Sequence, residues 1–222
     1  PYHLGLINGI RENNHRFIKS YPNIIGEKNF AYPQLFHWLL SFLPKLFLDK
    51  YYYLVGAVLN LFALSMLLSF SFWAYPILMP NLSIDYFVLY SGLLYIVTPF
   101  SWAIWNAKNT GVSVRGLGII LAYFYQYLIL LYFFSGNWMI LFTIVLIVFI
   151  ILLSSQFAMQ YILLTLPFYA VLYSNFLLII IPPVTFLIFY ILDKEVAISY
   201  AKGQFWHKKI YYKYLAKQFI LK

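Results

Sequence analysis

The sequence is dominated by long apolar runs that short polar stretches separate. Between Gly116 and Leu192 there is no Asp, Glu, Lys or Arg in 77 residues. A helix needs about 20 apolar residues to cross the hydrocarbon core of a bilayer, which is about 30 Å thick. This pattern predicts an all-α polytopic membrane protein, with five to six transmembrane helices preceded by two amphipathic juxtamembrane helices. The candidate spans are about 53–75, 85–105, 117–135, 138–154, 157–173 and 176–192.

The last two candidate spans determine whether the chain crosses five or six times. Tyr173, Ser174 and Asn175 leave room only for a very tight turn between them. Pro182 and Pro183 are expected to break or kink the final helix, because proline lacks the N–H that a helix interior uses. The sequence therefore leaves two alternatives for residues 156–192: two crossings, or one crossing plus a re-entrant segment.

Polar and basic segments flank the apolar region. The tail has lysines along one helical stripe, which is typical of a helix in the headgroup layer, and the positive-inside rule assigns it to the cytoplasm. A solvated linker is the alternative for the tail. Short amphipathic helices are predicted in the N-terminal loop at about 2–13 and 33–43. The three parts of the chain are a loop over residues 1–50, a helix bundle over 51–193 and a basic tail over 194–222.

Composition supports the membrane assignment and excludes other classes. Of the 222 residues, 64% are apolar and 9% are charged, whereas soluble domains carry about 25% charged residues. The sequence has no cysteine, which excludes disulfides, thiolate nucleophiles and cysteine metal sites. The net charge of +9 lies outside the apolar region, which favours membrane lipids with anionic headgroups as partners over nucleic acid. We expect multi-pass insertion in the cell (inner or plasma) membrane.

The N-terminal loop is where ionisable side chains are dense enough to form a site. Arginine suits a phosphate because its guanidinium can bond two oxygens at once, and histidine and asparagine suit sugar hydroxyls or phosphate oxygens. The alternatives are a loop that these residues merely solvate and a packed role for His37 on its apolar helix. The spacing of the three histidines matches no standard metal-ligand pattern, so no metal is expected. The candidate substrate-binding residues of this loop are His3, Arg11, Asn14, His15, Arg16, Tyr32 and His37.

Two later segments carry further polar residues. Arg115 stands among small residues directly before an apolar helix, where backbone N–H groups and positive charge favour an anion. It is a further candidate substrate-binding residue, and a charged anchor at the cytoplasmic end of a span is the alternative. A small polar cluster between two spans either lines a cavity or forms a hairpin turn. It comprises Ser154, Ser155, Gln156 and Gln160.

The N-terminal string HLGLINGIRENNHRF, followed after a gap by YPQLFHWLL, resembles the first extracytoplasmic loop of the GT-C glycosyltransferases. These polytopic enzymes use polyprenyl-phosphate-linked sugars. In that family a histidine and an Ile-Arg pair follow an acidic catalytic residue, and a Tyr-Pro-x-x-x-His segment leads into the second span. The segments SVRGLG and SSQFAMQ also look similar to this group. The corresponding loop residues here are His3, Ile10, Arg11, Tyr32, Pro33 and His37.

The resemblance implies a membrane glycosyltransferase that transfers a sugar from a polyprenyl-phosphate donor to an acceptor hydroxyl at the outer membrane face. A carboxylate would deprotonate the acceptor while Arg11, Arg16 and Arg115 stabilise the departing phosphate, and no cofactor is implied. The family's catalytic Asp should lie just before Pro1, and the chain starts without methionine, so we expect a fragment. Glu12 is the in-chain candidate for the carboxylate, although it does not stand in the family's position.

The resemblance also creates a conflict of topology. It places residues 1–50 outside, whereas the basic tail favours the inside, and that combination requires an odd number of spans. The leading alternative is a polytopic transporter or flippase-like protein without covalent chemistry. The nearly charge-free spans argue against it, since transporters place ionisable groups at mid-membrane. A non-enzymatic membrane subunit that binds lipid or a partner is a third hypothesis.

Overall fold

The structure is a computed structural model that describes residues 2–18, 33–78, 83–89 and 114–210. The regular structure in these ranges is helical, with no β-strand among them, and this confirms the predicted all-α class. Most of the predicted span 85–105, Tyr32 and the tail beyond Ile210 lie outside the described residues. The helices are α1 (Tyr2–Glu12), α2 (Leu35–Ser41), α3 (Lys45–Leu78), α4 (Val114–Ser135), α5 (Trp138–Ser154), α6 (Gln156–Leu172), α7 (Leu177–Leu192) and α8 (Lys194–Ile210).

The observed helices follow the predicted ones most closely in the second half of the chain. α5 has the predicted bounds, and α4, α6 and α7 differ from theirs by one to three residues. α2 is shorter than the predicted 33–43. α3 consists of two helical segments that meet at a kink at Tyr51, with φ −122° and ψ 21°, and the segment after the kink begins close to the predicted position 53. The short helical segment before the kink, residues 45–50, was not predicted, because its polar side chains are typical of a loop.

Two of the described helices are long and apolar enough to cross a bilayer. They are the segments Lys45–Trp73 of α3 and Gly116–Ser135 of α4. The apolar helices α5, α6 and α7 have 17, 17 and 16 residues. Those lengths lie at or just below the shortest span that a bilayer accepts, about 17 residues.

Side-chain contacts fix the relative directions of the helices. Leu59 of α3 packs 3.3 Å from the position that a Cβ on Gly116 would take, and Trp73 contacts Tyr127 with ring centroids 4.9 Å apart. α3 and α4 therefore run side by side in the same direction. Helices α4 to α7 then alternate in direction, since a short turn joins each to the next. One end of the bundle thus holds the starts of α3, α4 and α6 and the ends of α5 and α7.

The amphipathic helices pack at this same end. Ile7 of α1 and Leu40 of α2 are buried in a cluster with Leu48 near the start of α3, and Leu117 near the start of α4 packs against it. α8 continues from the end of α7. We call this the basic end, because the Lys and Arg of the described residues belong to α1 and the segment after it, the first turns of α3 and α4, or α8. They are Arg11, Arg16, Lys45, Lys50, Arg115, Lys194, Lys202, Lys208 and Lys209.

Close packing of α4 on α6 depends on small residues at the basic end. A Cβ on Gly118 would come within 2.8 Å of Ser155 Cβ and 3.3 Å of Ala158 Cβ. Ser155 forms the N-cap of α6, and its side chain accepts a hydrogen bond from the backbone N–H of Ala158. Ser154 and Ser155 are fully buried. Of the two interpretations of the polar cluster, the structure favours the hairpin turn.

Of the two outcomes predicted for Pro182 and Pro183, a break or a kink, the structure excludes the break. α7 continues through both prolines, as α6 does through Pro167. Proline fixes φ near −65°, which is a helical value, so the cost is the missing N–H and local crowding and not the backbone angle. The Thr185 hydroxyl donates to the carbonyl of Pro182 at 2.8 Å. This bond gives the buried Thr185 hydroxyl an acceptor inside the apolar bundle.

Candidate functional site

α1 ends in a turn that sends the chain back over α2. The N–H of Asn14 donates to the carbonyl of Arg11 at 3.1 Å, and the N–H of His15 donates to the carbonyl of Ile10 at 2.8 Å. This pair of bonds is the Schellman motif, which needs a left-handed residue after the helix. Asn14 and His15 supply it with φ of 51° and 55°. Asparagine and histidine enter this region more readily than most residues other than glycine.

α2 is a single short amphipathic helix whose inner face meets α1. Its buried residues are Phe36, His37, Leu40 and Ser41, and their spacing of three and four places them on one side of the helix. Gln34, just before the helix, is also buried, and its side-chain amide bonds both the N–H and the carbonyl of Ile18, at 2.8 and 2.7 Å. The two helices therefore form one layer across the basic end, which we call the α1–α2 layer.

His3 and His37 join the two helices of the layer. The Nδ1 of His3 lies 2.8 Å from Nε2 of His37, and the two rings are stacked with centroids 5.1 Å apart. His37 is fully buried. Burial, together with the nearby His3, lowers the pKa of His37 from 6.5 to about 3, although a hydrogen bond with the backbone of Pro33 acts in the opposite direction. His37 is therefore neutral at physiological pH.

Arg11 closes the C-terminal end of α2. Its Nε donates to the carbonyl of Ser41 at 2.9 Å, and one terminal nitrogen donates to the carbonyl of Leu43. The other terminal nitrogen donates to the side-chain oxygen of Asn8 at 3.0 Å. Carbonyls at the end of a helix lack intrahelical donors and carry partial negative charge, so a guanidinium there satisfies both needs. Three of its five N–H groups donate to described residues, and the other two have no partner among those residues and can bind an anion.

His15 and Arg11 both form hydrogen bonds with Ser41. Its Nδ1 lies 2.7 Å from the Ser41 hydroxyl oxygen, and its ring stacks on Phe42 with centroids 4.5 Å apart. The indole N–H of Trp38 donates to the His15 carbonyl at 2.9 Å. The guanidinium of Arg11 and the imidazole of His15 therefore meet on two atoms of Ser41, its carbonyl and its hydroxyl.

A small apolar pocket lies at one part of the boundary where the α1–α2 layer meets the end of the bundle. Side chains from the layer, the ends of α5 and α7, and the first turns of α8 line it. Its polar side chains are those of Gln34 and Tyr200, which are far apart in sequence but both line the pocket. The lining residues are Phe17, Pro33, Gln34, Leu152, Leu153, Phe189, Val196 and Tyr200.

The remaining candidates are placed less centrally. Glu12, Asn14 and Arg16 are exposed around the turn after α1. Arg115 belongs to the first turn of α4, at the basic end, but its side chain lies outside the described part of the chain, as does Tyr32 altogether. Among the described residues no three of His, Asp and Glu come together as metal ligands. The structure thus brings His3 onto His37 and Arg11 next to His15, and leaves Glu12, Asn14 and Arg16 exposed.

The sequence analysis did not identify the residues that hold the site together as candidates. Ser41 anchors both Arg11 and His15, Trp38 fixes the His15 backbone, and Gln34 ties down Ile18. A serine at the end of a short apolar helix and an amide before it are common as solvated caps. The useful signal would have been that both stand inside an otherwise apolar run, where a polar side chain needs a partner.

Comparison with known protein families, with curated proteins and with solved structures finds no match.

Proposed function

We propose that this chain is a multi-pass integral membrane protein that crosses the bilayer six times. Helices α3 to α7 supply five crossings. The sixth follows from direction: α3 and α4 run the same way, so Leu78 and Val114, which end and begin them, lie at opposite ends of the bundle. An even number of crossings puts the N-terminal loop and the start of the tail on one side of the membrane.

We propose further that it acts as a membrane glycosyltransferase of the GT-C kind, with a polyprenyl-phosphate-linked sugar as donor. The observation that carries this is the meeting of the motif positions. His3 and His37 are 34 positions apart in sequence and 2.8 Å apart in space, and Arg11 of the Ile-Arg pair lies on the same α1–α2 layer. Solvation of a loop requires no such convergence.

The chemistry expected there is displacement at the anomeric carbon. The lipid tail stays in the bilayer, so its phosphate is at the headgroup level, where the α1–α2 layer covers the basic end. The two remaining N–H groups of Arg11 and the exposed guanidinium of Arg16 can stabilise the charge that develops on the departing phosphate. The charge-free interior of the bundle offers no equivalent site, and this also disfavours ion-coupled transport.

This function requires the basic end to face the cell exterior. The positive-inside rule, applied to the same lysines and arginines, assigns it to the cytoplasm. The orientation of one end of the bundle therefore separates a glycosyltransferase from a protein whose cationic end contacts cytoplasmic lipid. Because the proposed number of crossings is even, the N-terminal loop and the start of the tail face the same side in either orientation.

The decisive experiment is a transfer assay with the purified protein in vesicles that contain a radiolabelled polyprenyl-phosphate sugar. The wild-type protein should release sugar from the lipid to an acceptor. Arg11→Ala should lower the rate by about 100-fold or more, since it removes a cation from the developing phosphate charge. Arg16→Ala should lower it by at least about tenfold, and its exposed side chain makes a folding defect an implausible cause.

Lys45→Ala is the matched control, because Lys45 is an exposed cation at the basic end but not in the α1–α2 layer. Its transfer rate should equal that of the wild type. Thermal unfolding of Arg11→Ala is measured in parallel, since the same side chain holds two carbonyls of the layer. Wild-type rates in both arginine variants, or no transfer by the wild-type protein, would refute the proposal.

A further inference from the structure

The hydroxyl of Ser41 determines which nitrogen of His15 carries hydrogen. Ser41 Oγ lies 2.7 Å from the carbonyl oxygen of Trp38 and 2.7 Å from His15 Nδ1. A carbonyl can only accept, so the single hydroxyl hydrogen of Ser41 points to Trp38. His15 Nδ1 must therefore donate its own hydrogen to Ser41 Oγ. In the neutral ring the lone pair is then on Nε2.

The backbone and ring of His15 are fixed as well as its tautomer. The residue is in the left-handed region with φ 55°, its carbonyl accepts from the Trp38 indole at 2.9 Å, and its ring stacks on Phe42. A non-glycine residue in that region costs free energy and persists where its surroundings hold it. The ring is half-buried, and among the described residues Nδ1 has a hydrogen-bond partner while none is seen for Nε2.

We propose that His15 Nε2 accepts the proton of the acceptor hydroxyl during sugar transfer, with Ser41 as the positioning residue. This rests on the proposed function and assigns to an imidazole the role that the resemblance gave to a carboxylate. The acceptor oxygen bonds to the anomeric carbon, and the bond from that carbon to the phosphate oxygen breaks with its electron pair going to the phosphate. The hydroxyl proton moves to Nε2 and leaves an imidazolium.

The groups around His15 fit this role. Arg11 donates to the carbonyl of Ser41 while His15 donates to its hydroxyl, so base and phosphate-binding cation share one anchor. α2 faces the ring with Trp38, Ser41 and Phe42, which do not titrate in this range, and its own histidine is engaged with His3. Within the described part of the chain, the charged side chains near His15 come from its own segment. They are Arg11, Glu12 and Arg16.

His15→Asn separates the chemistry from the structure. Asparagine tolerates left-handed backbone angles, and its amide N–H group can take the place of Nδ1 in the bond to Ser41. It has nothing at the position of Nε2. The variant should keep the thermal stability and the KM for the lipid donor, and its kcat should fall by about 100-fold or more, the usual contribution of a general base.

A further measurement tests the tautomer directly. Imidazole nitrogen NMR of the wild-type protein in detergent should show His15 protonated on Nδ1 and not on Nε2 when neutral.

The outcomes distinguish this inference from the proposed function. Normal kcat in His15→Asn, or a neutral His15 with its hydrogen on Nε2, overturns the inference and leaves the transferase intact. Absence of transfer by the wild-type protein overturns the transferase and the inference with it. A loss of kcat in His15→Asn with an unchanged KM, together with the Nδ1–H tautomer, supports the inference.

Discussion

At the scale of single residues, polar side chains in the α1–α2 layer have two roles that sequence alone does not separate. Arg11 satisfies carbonyls at the end of α2 and also holds N–H groups in reserve. His37 is packed, as one of the sequence hypotheses held, and yet it contacts His3. The same residue types and spacing are compatible with a solvated loop. What distinguishes the site is which atoms meet, and that depends on the path of the chain between α1 and α2.

The buried His37 predicts a dependence of stability on pH. Its pKa is about 3 in the folded protein and 6.5 when unperturbed, so between these values the unfolded state binds a proton that the folded state does not. The free energy of unfolding should therefore fall as pH decreases below 6.5, by up to about 1.4 kcal/mol per pH unit from this residue. Thermal unfolding in detergent from pH 7.5 to pH 4.5 measures it.

His37→Gln supplies the comparison for that measurement, because glutamine can bond His3 but does not titrate. Its unfolding temperature should vary less with pH than that of the wild type over the same range. An equal slope in the two proteins would mean that His37 is not the group responsible. The absolute stability of the variant is not the criterion, since any change at a buried position has its own cost.

At the scale of helices, the contact of α4 with α6 predicts a sensitive glycine. Gly118→Ala would place a Cβ 2.8 Å from Ser155 Cβ, closer than real side chains approach. Relief requires the two helices to separate, which should destabilise the protein by about 1–3 kcal/mol. Gly5→Ala is the control, because a Cβ there meets nothing within 4 Å and Gly5 is on an exposed part of α1. It should be neutral or stabilising by up to about 1 kcal/mol.

The apolar pattern located the helices better than it located their ends. α5 is the clearest case, since its predicted bounds of 138–154 are observed, and uninterrupted apolar residues between Asn137 and Ser155 leave little choice. In α3 the sequence predicted the span after the kink at Tyr51 but not the short helical segment before it, whose exposed Lys45, Asp49 and Lys50 are typical of a loop. Pro182 and Pro183 do not end α7, because the φ value that proline imposes is itself helical.

The candidate site could be predicted in part only. Composition identifies the N-terminal loop, and the spacing of His3, Ile7 and Arg11 identifies one face of α1. Contacts between α1 and α2 span more than twenty positions, so no local pattern specifies that Arg11 and His15 share Ser41. Such contacts depend on the path of the chain and not on periodicity.

At the scale of the whole molecule, the distribution of charge poses the question that decides function. The lysines and arginines of the described residues belong to elements at the basic end, while the turns at the other end expose residues such as Gly136 and Trp138. Anionic lipid in the inner leaflet would attract such an end to the cytoplasm. A lipid-phosphate substrate on the outer surface would use the same charge for binding. The net charge of the chain is the same in either orientation, so composition does not distinguish them.

The absence of cysteine from the sequence makes orientation directly measurable. Leu46 is 84% exposed at the basic end and Trp138 is 71% exposed at the opposite end, so Leu46→Cys and Trp138→Cys place one thiol at each end. Neither side chain belongs to the α1–α2 layer. In intact cells a membrane-impermeant maleimide should label Leu46→Cys and spare Trp138→Cys until the membrane is opened, because sugar transfer at the outer face needs the basic end outside. Labelling in the reverse order would place the site in the cytosol and exclude that reaction, while labelling of both before opening would contradict the six-crossing bundle itself.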